Sequence, residues 1–390
     1  MSSVLLVLVL LAAGVAGQLL LTDRRRVPHQ SPRPAPFPDG AGTVSVIVPA
    51  RNEAGTLPLL LRSLRSLTAS PLEVLVVDDS SADGTAEIAS SAGATVVRAG
   101  EPPSGWTGKA WACHRGVATA RGSVLLFLDA DTVLEPDALA GLLTLHRQQG
   151  GLVSVQPFHE TIRAYEQLSA YFNVMSLLAS GAFSRRRPRH PLAFGPTLIT
   201  SRTDYERAGG HTAVRAEILD DARLASAYAG QGLPVHCVLG GPALRMRMYP
   251  GGPRQMIEGW TKNIASGAGA ADRWSALGAG VWLASHWAVT VGAVLALLSL
   301  LLAPAGVQVP MTVGHPTIWA AAWVGVSLQL RAMLDTVGAF RWWTWALFPA
   351  ALLAFTVLFV RSVLLTRVRH EVAWRGRAVP IGRSSHHSEA

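Results

Sequence analysis

Residues 124–131 read VLLFLDAD, five apolar residues followed by two carboxylates separated by one alanine. An unbroken apolar run of this length suits a strand covered on both faces, as in a parallel sheet flanked by helices. Four more runs share the pattern: VSVIVP (44–49), EVLVVDD (73–79), ATVVR (94–98) and GLVSVQ (151–156). Helical stretches lie between them at 54–68 and 136–149, the second opened by Pro136, a residue tolerated in a first helical turn. From Val44 to about Leu244 the alternation predicts an α/β domain with a doubly wound, mostly parallel sheet. Ligands of such sheets bind at the carboxyl ends of the strands.

Outward from this domain the chain turns apolar. Of its 390 residues 49% are hydrophobic and only 15% charged, against about 25% charged in ordinary soluble domains. Such a composition excludes disorder, and two cysteines, Cys113 and Cys237, exclude a disulfide scaffold. The net charge of +9 comes from scattered basic residues, and without a nucleic-acid signature it reads as the positive flank of membrane segments. Residues 4–21 carry no charge and are followed by Arg24, Arg25 and Arg26, so an uncleaved anchor with cytoplasmic continuation is expected. Further spans are expected at 279–303, 317–338 and 342–365, the middle one burdened by Arg331 and Asp335. One N-terminal and three C-terminal spans would put the basic tail outside, against the positive-inside rule; either one segment is re-entrant or the rule fails. The expected organisation is an anchor (1–22), a Pro-rich extended linker (23–42), the α/β domain (43–250), an interfacial amphipathic segment (251–278), a transmembrane region (279–366) and a basic tail (367–390).

The chemistry stands at the strand ends. Arg51, Asn52 and Glu53 follow the first strand, Asp78 and Asp79 end the second, and Asp129 and Asp131 end VLLFLDAD. Three acidic clusters on one sheet edge repel one another unless cations or hydrogen-bond donors lie among them. The Asp-Ala-Asp spacing suits Mg2+ or Mn2+ bridging substrate phosphates; each cluster alone could be an ordinary surface turn. Asp220 and Asp221 form a further acidic pair, in which mutual repulsion can raise one pKa to suit a general base. Only two lysines occur, Lys109 and Lys262.

PARNE, VVDDSSADGT and FLDAD together resemble the family 2 glycosyltransferases. The resemblance implies a GT-A, Rossmann-like catalytic domain over about 43–265, with Pro49, Glu53, Asp78 and Asp79 on the nucleotide sugar and Asp129 and Asp131 on a divalent metal. It makes Asp221 the general base, with Asp220 beside it where Glu is usual. PPSGWTGKAWACHRG (102–116), FGPTLITSRTDYERAGGH (194–211) and the 247–268 stretch are similar to membrane glycosyltransferases of carotenoid pathways and to hopanoid-associated relatives. This places Gly195 and Trp260 on the acceptor side and Lys109 at the diphosphate. Trp260 equally suits a headgroup anchor, and Lys262 a snorkelling interfacial side chain. The basic run Arg185, Arg186, Arg187 and Arg189 with His190 reads as a membrane-surface contact or a diphosphate contact. The polymerase signature Gln-x-x-Arg-Trp is absent, since the matching stretch is Gln255-Met-Ile-Glu-Gly-Trp260, which favours transfer of a single sugar.

The expected activity is inverting transfer of one hexose, glucose from UDP-glucose, to a membrane carotenoid or terpenoid acceptor, by a multi-pass cell-membrane protein with a cytoplasmic catalytic domain. Alternatives are a polyprenyl-phosphate or hopanoid acceptor, and a non-catalytic membrane scaffold of the same fold. The oligomeric state is not legible in the sequence, and no nucleic-acid partner is expected.

Overall fold

In the computed structural model, which describes residues 3–28, 44–186, 188, 191–217, 220–267, 271–305, 315–369, 371–374 and 377–380, the chain alternates between two units. One comprises Met1–Asp23, Thr161–Arg186 and Tyr249–Ala390, the other Arg24–Glu160 and Arg187–Met248. The expected 43–250 domain is thus interrupted, since 161–186 belongs with the apolar helices. Helix α1 (Ser3–Leu19) opens the chain in the first of these units.

The α/β unit is built on strands β1 (Val44–Ala50), β2 (Glu73–Asp78), β3 (Thr95–Arg98) and β4 (Val124–Leu128). After β4 come β5 (Thr132–Leu134), β6 (Leu152–Gln156), β7 (Phe158–His159), β8 (Thr197–Ser201), β9 (Val235–Leu239) and β10 (Leu244–Met246). The main sheet runs β3-β2-β1-β4-β8-β6-β9. Its pairs are parallel except around β8, which is antiparallel to β4 and β6. The alternation of strand side chains decides the layers. Val46, Val48 and Leu126 face one core with α2 (Leu57–Arg65) and α5 (Ala138–Gln149); α3 (Thr85–Ser91) flanks α2. Ile47, Leu75, Leu125 and Phe127 face the opposite core with α4 (Gly108–Thr119), α7 (Arg202–Arg207) and α8 (Asp220–Gly230). Each fully buried Leu, Ile or Phe contributes about 1.5–3 kcal/mol. Gly116 lets α4 lie against β1, where an added Cβ would stand 2.6 Å from Ile47 Cγ2.

Beyond the carboxyl end of β4 a small sheet forms in the order β5-β10-β7. Arg245 on β10 ties it together, bonded to Glu135 and Glu160 at 2.6 Å each. The start of the expected loose linker is packed instead: Val27 N–H donates to Leu239 O (2.9 Å) and Leu239 N–H to Arg25 O (2.8 Å). The physical reason is that β9 would otherwise leave an open edge and Val27, 3% exposed, has apolar surface to bury. Residues 29–42 of that linker lie outside the described residues.

In the other unit α1 packs along α10 (Arg273–Leu302) and α11 (Pro316–Val337). Gln329 on α11 donates to Gly14 O (2.7 Å) and accepts from Trp282 Nε1 (3.0 Å). Small residues allow such close approach between apolar helices. Helix α6 (Ala170–Ser180), α9 (Pro253–Gly267), the short α12 (Trp342–Ala346) and α13 (Phe348–Arg369) complete the unit. Among the described residues three helices are long and apolar enough to cross a membrane: 273–302, 316–337 and 348–365. Helix α1, with 17 residues, reaches about 26 Å at 1.5 Å per residue, short of a 30 Å hydrocarbon core. Two boundaries differ from expectation. The third span begins at 348 rather than 342, because α12 ends at Ala346 and α13 restarts with Pro349, which cannot donate to a preceding turn. Residues 273–278 extend α10, capped by Asp272 accepting from Ser275 N–H at 2.9 Å. Arg331 lies 3.9 Å from Asp335, so the two charges of that span offset one another.

Candidate active site

The turns that follow the strands carry the polar residues, and they interlock. After β1, Asn52 adopts φ 54 and Ser80 after β2 adopts φ 57, a left-handed region that short polar residues tolerate best. Asn52 N–H donates to Ser81 Oγ (3.0 Å), and its side-chain oxygen accepts from Ala82 N–H (2.9 Å). Arg51 donates to Asp79 Oδ2 (3.4 Å) and to Asp79 O (3.3 Å), beneath a carboxylate only 6% exposed. Asp78 Oδ1 accepts from Ser81 N–H (3.2 Å), and Glu53 Oε2 accepts from Thr56 Oγ1 (2.6 Å). Burial pushes Asp83 up, but donation from Thr85 and Ala54 N–H outweighs it and holds the carboxyl below its usual range. The expected nucleotide residues Glu53, Asp78 and Asp79 thus stand on one braced pair of loops.

A second group converges beside β4. Pro49, Lys109, Asp129, Gly195, Asp220 and Asp221 line one crevice, with Cys113, Phe127, Leu198 and His211 forming its apolar wall. They arrive from several elements. Thr107 caps α4 by accepting from Ala110 N–H (3.3 Å), which sets Lys109 in the first turn. Asp129 leaves β4 with its N–H on Pro196 O (2.9 Å), and Asp131 follows in the tight turn to β5. Asp220 and Asp221 occupy the first turn of α8, where the helix dipole favours anions. Asp221 Oδ1 accepts from Ala222 N–H (2.9 Å). Gly195 completes the closure: a Cβ there would lie 2.9 Å from Asp221 Oδ2 and 3.4 Å from Lys109 Nζ.

The electrostatics of this group decide its chemistry. Lys109 Nζ sits 2.8 Å from Asp129 Oδ1. Burial works against its charge, but Asp129 and then Asp220 outweigh that and hold the ammonium well above its ordinary range; the side chain is 42% exposed, so water moderates the effect. Asp221 is pushed up to about 6, first by burial and then by Asp220, with Lys109 opposing. A carboxyl at that value is mostly ionised at neutral pH yet basic enough to take a proton. His211 is pushed down to about 4 by burial and shares a 2.7 Å hydrogen bond with Tyr205 Oη. It is neutral near pH 7 and serves as wall and not as base. Cys113 is pushed far above its ordinary range by burial and by Asp220, so its thiol stays protonated and unreactive.

Asp129 and Asp131 present hard oxygen donors that fit Mg2+ or Mn2+. Among the described residues no three His, Cys, Asp or Glu side chains converge as a metal cage. A divalent ion on this pair would therefore take its remaining ligands from phosphate and water, as Mg2+ commonly does. Trp260 belongs to the other unit. It is 6% exposed, stacked on Phe172 with centroids 4.7 Å apart, and donates Nε1–H to Ser169 Oγ (3.0 Å). Its indole nitrogen and one face are engaged within that unit. Lys262 also lies in that unit, on α9. Of the basic run, Arg185 and Arg186 are exposed, while Arg187, Arg189 and His190 fall outside the described residues. Reading strand ends finds Arg51 but misses its pairing with Asp79, because that partner is 28 residues away in sequence. It likewise does not single out the wall residues Cys113, Phe127 and His211, although each lies within one of the quoted stretches.

A mixed, mostly parallel sheet with carboxylates at its carboxyl edge and an acid pair across the crevice defines a GT-A-type glycosyltransferase domain. Residues 45–207 match the sequence family described as glycosyl transferase family 2. Two relatives from Staphylococcus aureus, strains MRSA252 and USA300, are each named 4,4'-diaponeurosporenoate glycosyltransferase. Each is 35% identical over 348 residues, covering 87% of this chain and 89% of the relative. The chain belongs to glycosyl transferase family 2 and is a glycosyltransferase. Among solved structures, a mannosyltransferase from Pyrobaculum calidifontis in complex with GDP-Man and Mn2+ is 20% identical with a TM-score of 0.46. The match covers 92% of this chain and 97% of that one. Glucosyl-3-phosphoglycerate synthase from Mycobacterium tuberculosis is also 20% identical, covering 63% of this chain and 87% of that one with a TM-score of 0.44.

Proposed function

We propose that the protein transfers a single hexose, glucose from UDP-glucose, onto the carboxylate of a membrane carotenoid acid with inversion at the anomeric carbon. The reading rests on one observation above others: Lys109, Asp129 and the acid pair Asp220 and Asp221 line one crevice at the carboxyl end of the sheet. That supports a diphosphate-binding edge and an acidic pair within reach of one sugar. The acceptor class is supported by the relatives, named for 4,4'-diaponeurosporenoate, a carboxylate. The nucleoside is held by Glu53, Asp78 and Asp79 with Pro49 beneath. Asp129 and Asp131 hold Mg2+ or Mn2+, which when bound offsets charge on the leaving diphosphate. Lys109 adds a point charge to that diphosphate. The acceptor oxygen attacks the anomeric carbon as the bond to the diphosphate breaks, and UDP leaves with the electron pair. A carboxylate acceptor brings no proton to this step; a hydroxyl acceptor gives its proton to Asp221. Gly195 leaves room for Asp221 beside the acceptor path.

The three apolar helices support membrane residence. Arg24, Arg25 and Arg26 after α1 support a catalytic unit on the cytoplasmic face, which an accessibility-labelling test of introduced cysteines checks. For the activity, membranes containing wild type or Asp131→Ala receive UDP-glucose and Mn2+, and UDP release is measured; equal release from both rejects the proposed reaction. Mass spectrometry of lipid extracts with and without the gene reports sugar and acceptor together. A glucosyl ester is the expected product, and a polyprenyl-phosphate or hopanoid glycoside overturns the acceptor class.

A further inference from the structure

Lys109 is the cation closest to the carboxylate that the metal needs. Its Nζ lies 2.8 Å from Asp129 Oδ1, a charge-assisted hydrogen bond. The backbone that carries it is fixed, because α4 is anchored by the Thr107 cap and by Thr107 N–H on Arg215 O at 2.7 Å, while the flexible four-carbon stem lets the ammonium itself change partners. Opposite it stand Asp220 and Asp221, with Gly195 closing the remaining side. A divalent ion arriving at Asp129 would therefore meet a positive charge within direct hydrogen-bond reach of its ligand, and two like charges at such separation repel strongly. The incoming nucleotide diphosphate changes this balance, since it supplies anionic oxygens to both cations at once.

We propose that Lys109 acts as a resident counter-ion that occupies Asp129 until the nucleotide sugar arrives, so that divalent metal binds tightly only together with the nucleotide. The proposal rests on the reading that Asp129 and Asp131 hold the metal. On nucleotide binding Lys109 moves its hydrogen bond from Asp129 to the diphosphate, and the metal takes the carboxylate that Lys109 gives up. Lys109 is thus a positioning residue for the metal as well as a contact for the donor. The consequence for the reaction is order: the enzyme carries little metal between turnovers, and donor and metal load as one.

The test uses the full-length protein in detergent and measures free Mn2+ by electron paramagnetic resonance, with and without UDP. Wild type is expected to bind Mn2+ weakly alone and at least about tenfold more tightly with saturating UDP, within the ordinary range of coupling between sites. Lys109→Met is expected to bind Mn2+ alone about tenfold more tightly than wild type and to show a smaller UDP effect. Lys109→Arg, which keeps the charge, is expected to stay within about twofold of wild type. Where the Met variant does not fold, Lys109→Gln replaces it with the same expectation. Unchanged or weaker Mn2+ affinity in folded Lys109→Met or Lys109→Gln overturns the proposal. A different result marks failure of the underlying reading: if wild type shows no Mn2+ binding in either condition, or Asp129→Asn binds Mn2+ as wild type does, the metal is not held at Asp129.

Discussion

Asp221→Asn separates the acceptor classes and also tests the electrostatics of the crevice. In the folded chain Asp221 is raised from 3.8 to about 6, so the folded state binds this proton more tightly than the unfolded chain does. As pH rises from about 4 towards 6 the unfolded state ionises first and the folded state loses stability; above about 6 the deficit is constant. A shift of that size corresponds to about 3 kcal/mol, which partial contact with water reduces to about 1–2 kcal/mol. Asn keeps the shape without the charge. The variant is therefore expected to melt at the same temperature as wild type below pH 4, and a few degrees higher at pH 7. Its activity is expected to fall less than about 100-fold at pH 7, because a carboxylate acceptor has no proton to give up; general-base effects span about 10²–10⁴-fold. The assay is UDP release from purified protein in liposomes carrying the acceptor lipid, with nucleotide binding measured in parallel and melting followed from pH 4 to 8. A loss above about 100-fold with nucleotide binding intact would falsify the carboxylate reading and assign a hydroxyl acceptor. A variant no more stable than wild type at pH 7 would refute the raised pKa.

Other substitutions test the positioning of the crevice and the packing of the helices. Gly195→Ala places a Cβ 2.9 Å from Asp221 Oδ2, displacing the carboxylate by about half an ångström; kcat/KM should fall about tenfold with melting nearly unchanged, given about 10²-fold loss per ångström of misplacement. Thr107→Ala removes the acceptor of Ala110 N–H and should cost about 1 kcal/mol in thermal unfolding, with donor KM raised as Lys109 loses its anchored turn. Gly17→Ala in α1 brings a Cβ within 2.2 Å of Trp282 Cδ1, and Trp282 is fully buried. Overpacking of this kind costs about 1–3 kcal/mol, read as a lower melting temperature in detergent with the catalytic crevice's nucleotide affinity intact.

Much of this was legible because it is local. Short apolar runs, two of them ending in Asp, reflect buried strands and the turns that end them, and the structure has β1, β2, β3, β4 and β6 where those runs lie. The membrane helices follow from hydropathy summed over 18 or more residues, a property of each segment by itself. What stayed hidden depends on partners far away in the chain. Arg25 and Val27 read as linker because their hydrogen-bond partner, Leu239, lies more than 200 residues further on. Residues 161–186 read as part of the α/β domain because nothing in their composition says that Gln167 Oε1 will accept from Arg341 N–H (2.9 Å) and Thr344 Oγ1 (2.6 Å). Trp260 read equally as an acceptor contact and as a headgroup anchor, because only packing reveals its contacts with Phe172 and Ser169.

For the crevice the division is similar. By itself the sequence determined which residues carry charge at the strand ends, that the fold alternates strand and helix, and that the terminal segments prefer lipid. Those properties arise from residue type and from neighbours within a few positions. Only the tertiary structure decided that Lys109 spends its charge on Asp129, that burial adds to the repulsion from the adjacent Asp220 in raising Asp221, and that Gly195 lets Lys109 and Asp221 meet. Each depends on distances between groups brought together from well separated parts of the chain. Coulombic and desolvation energies depend on such distances and on the water excluded between charges, neither of which exists until the sheet has brought its ends together.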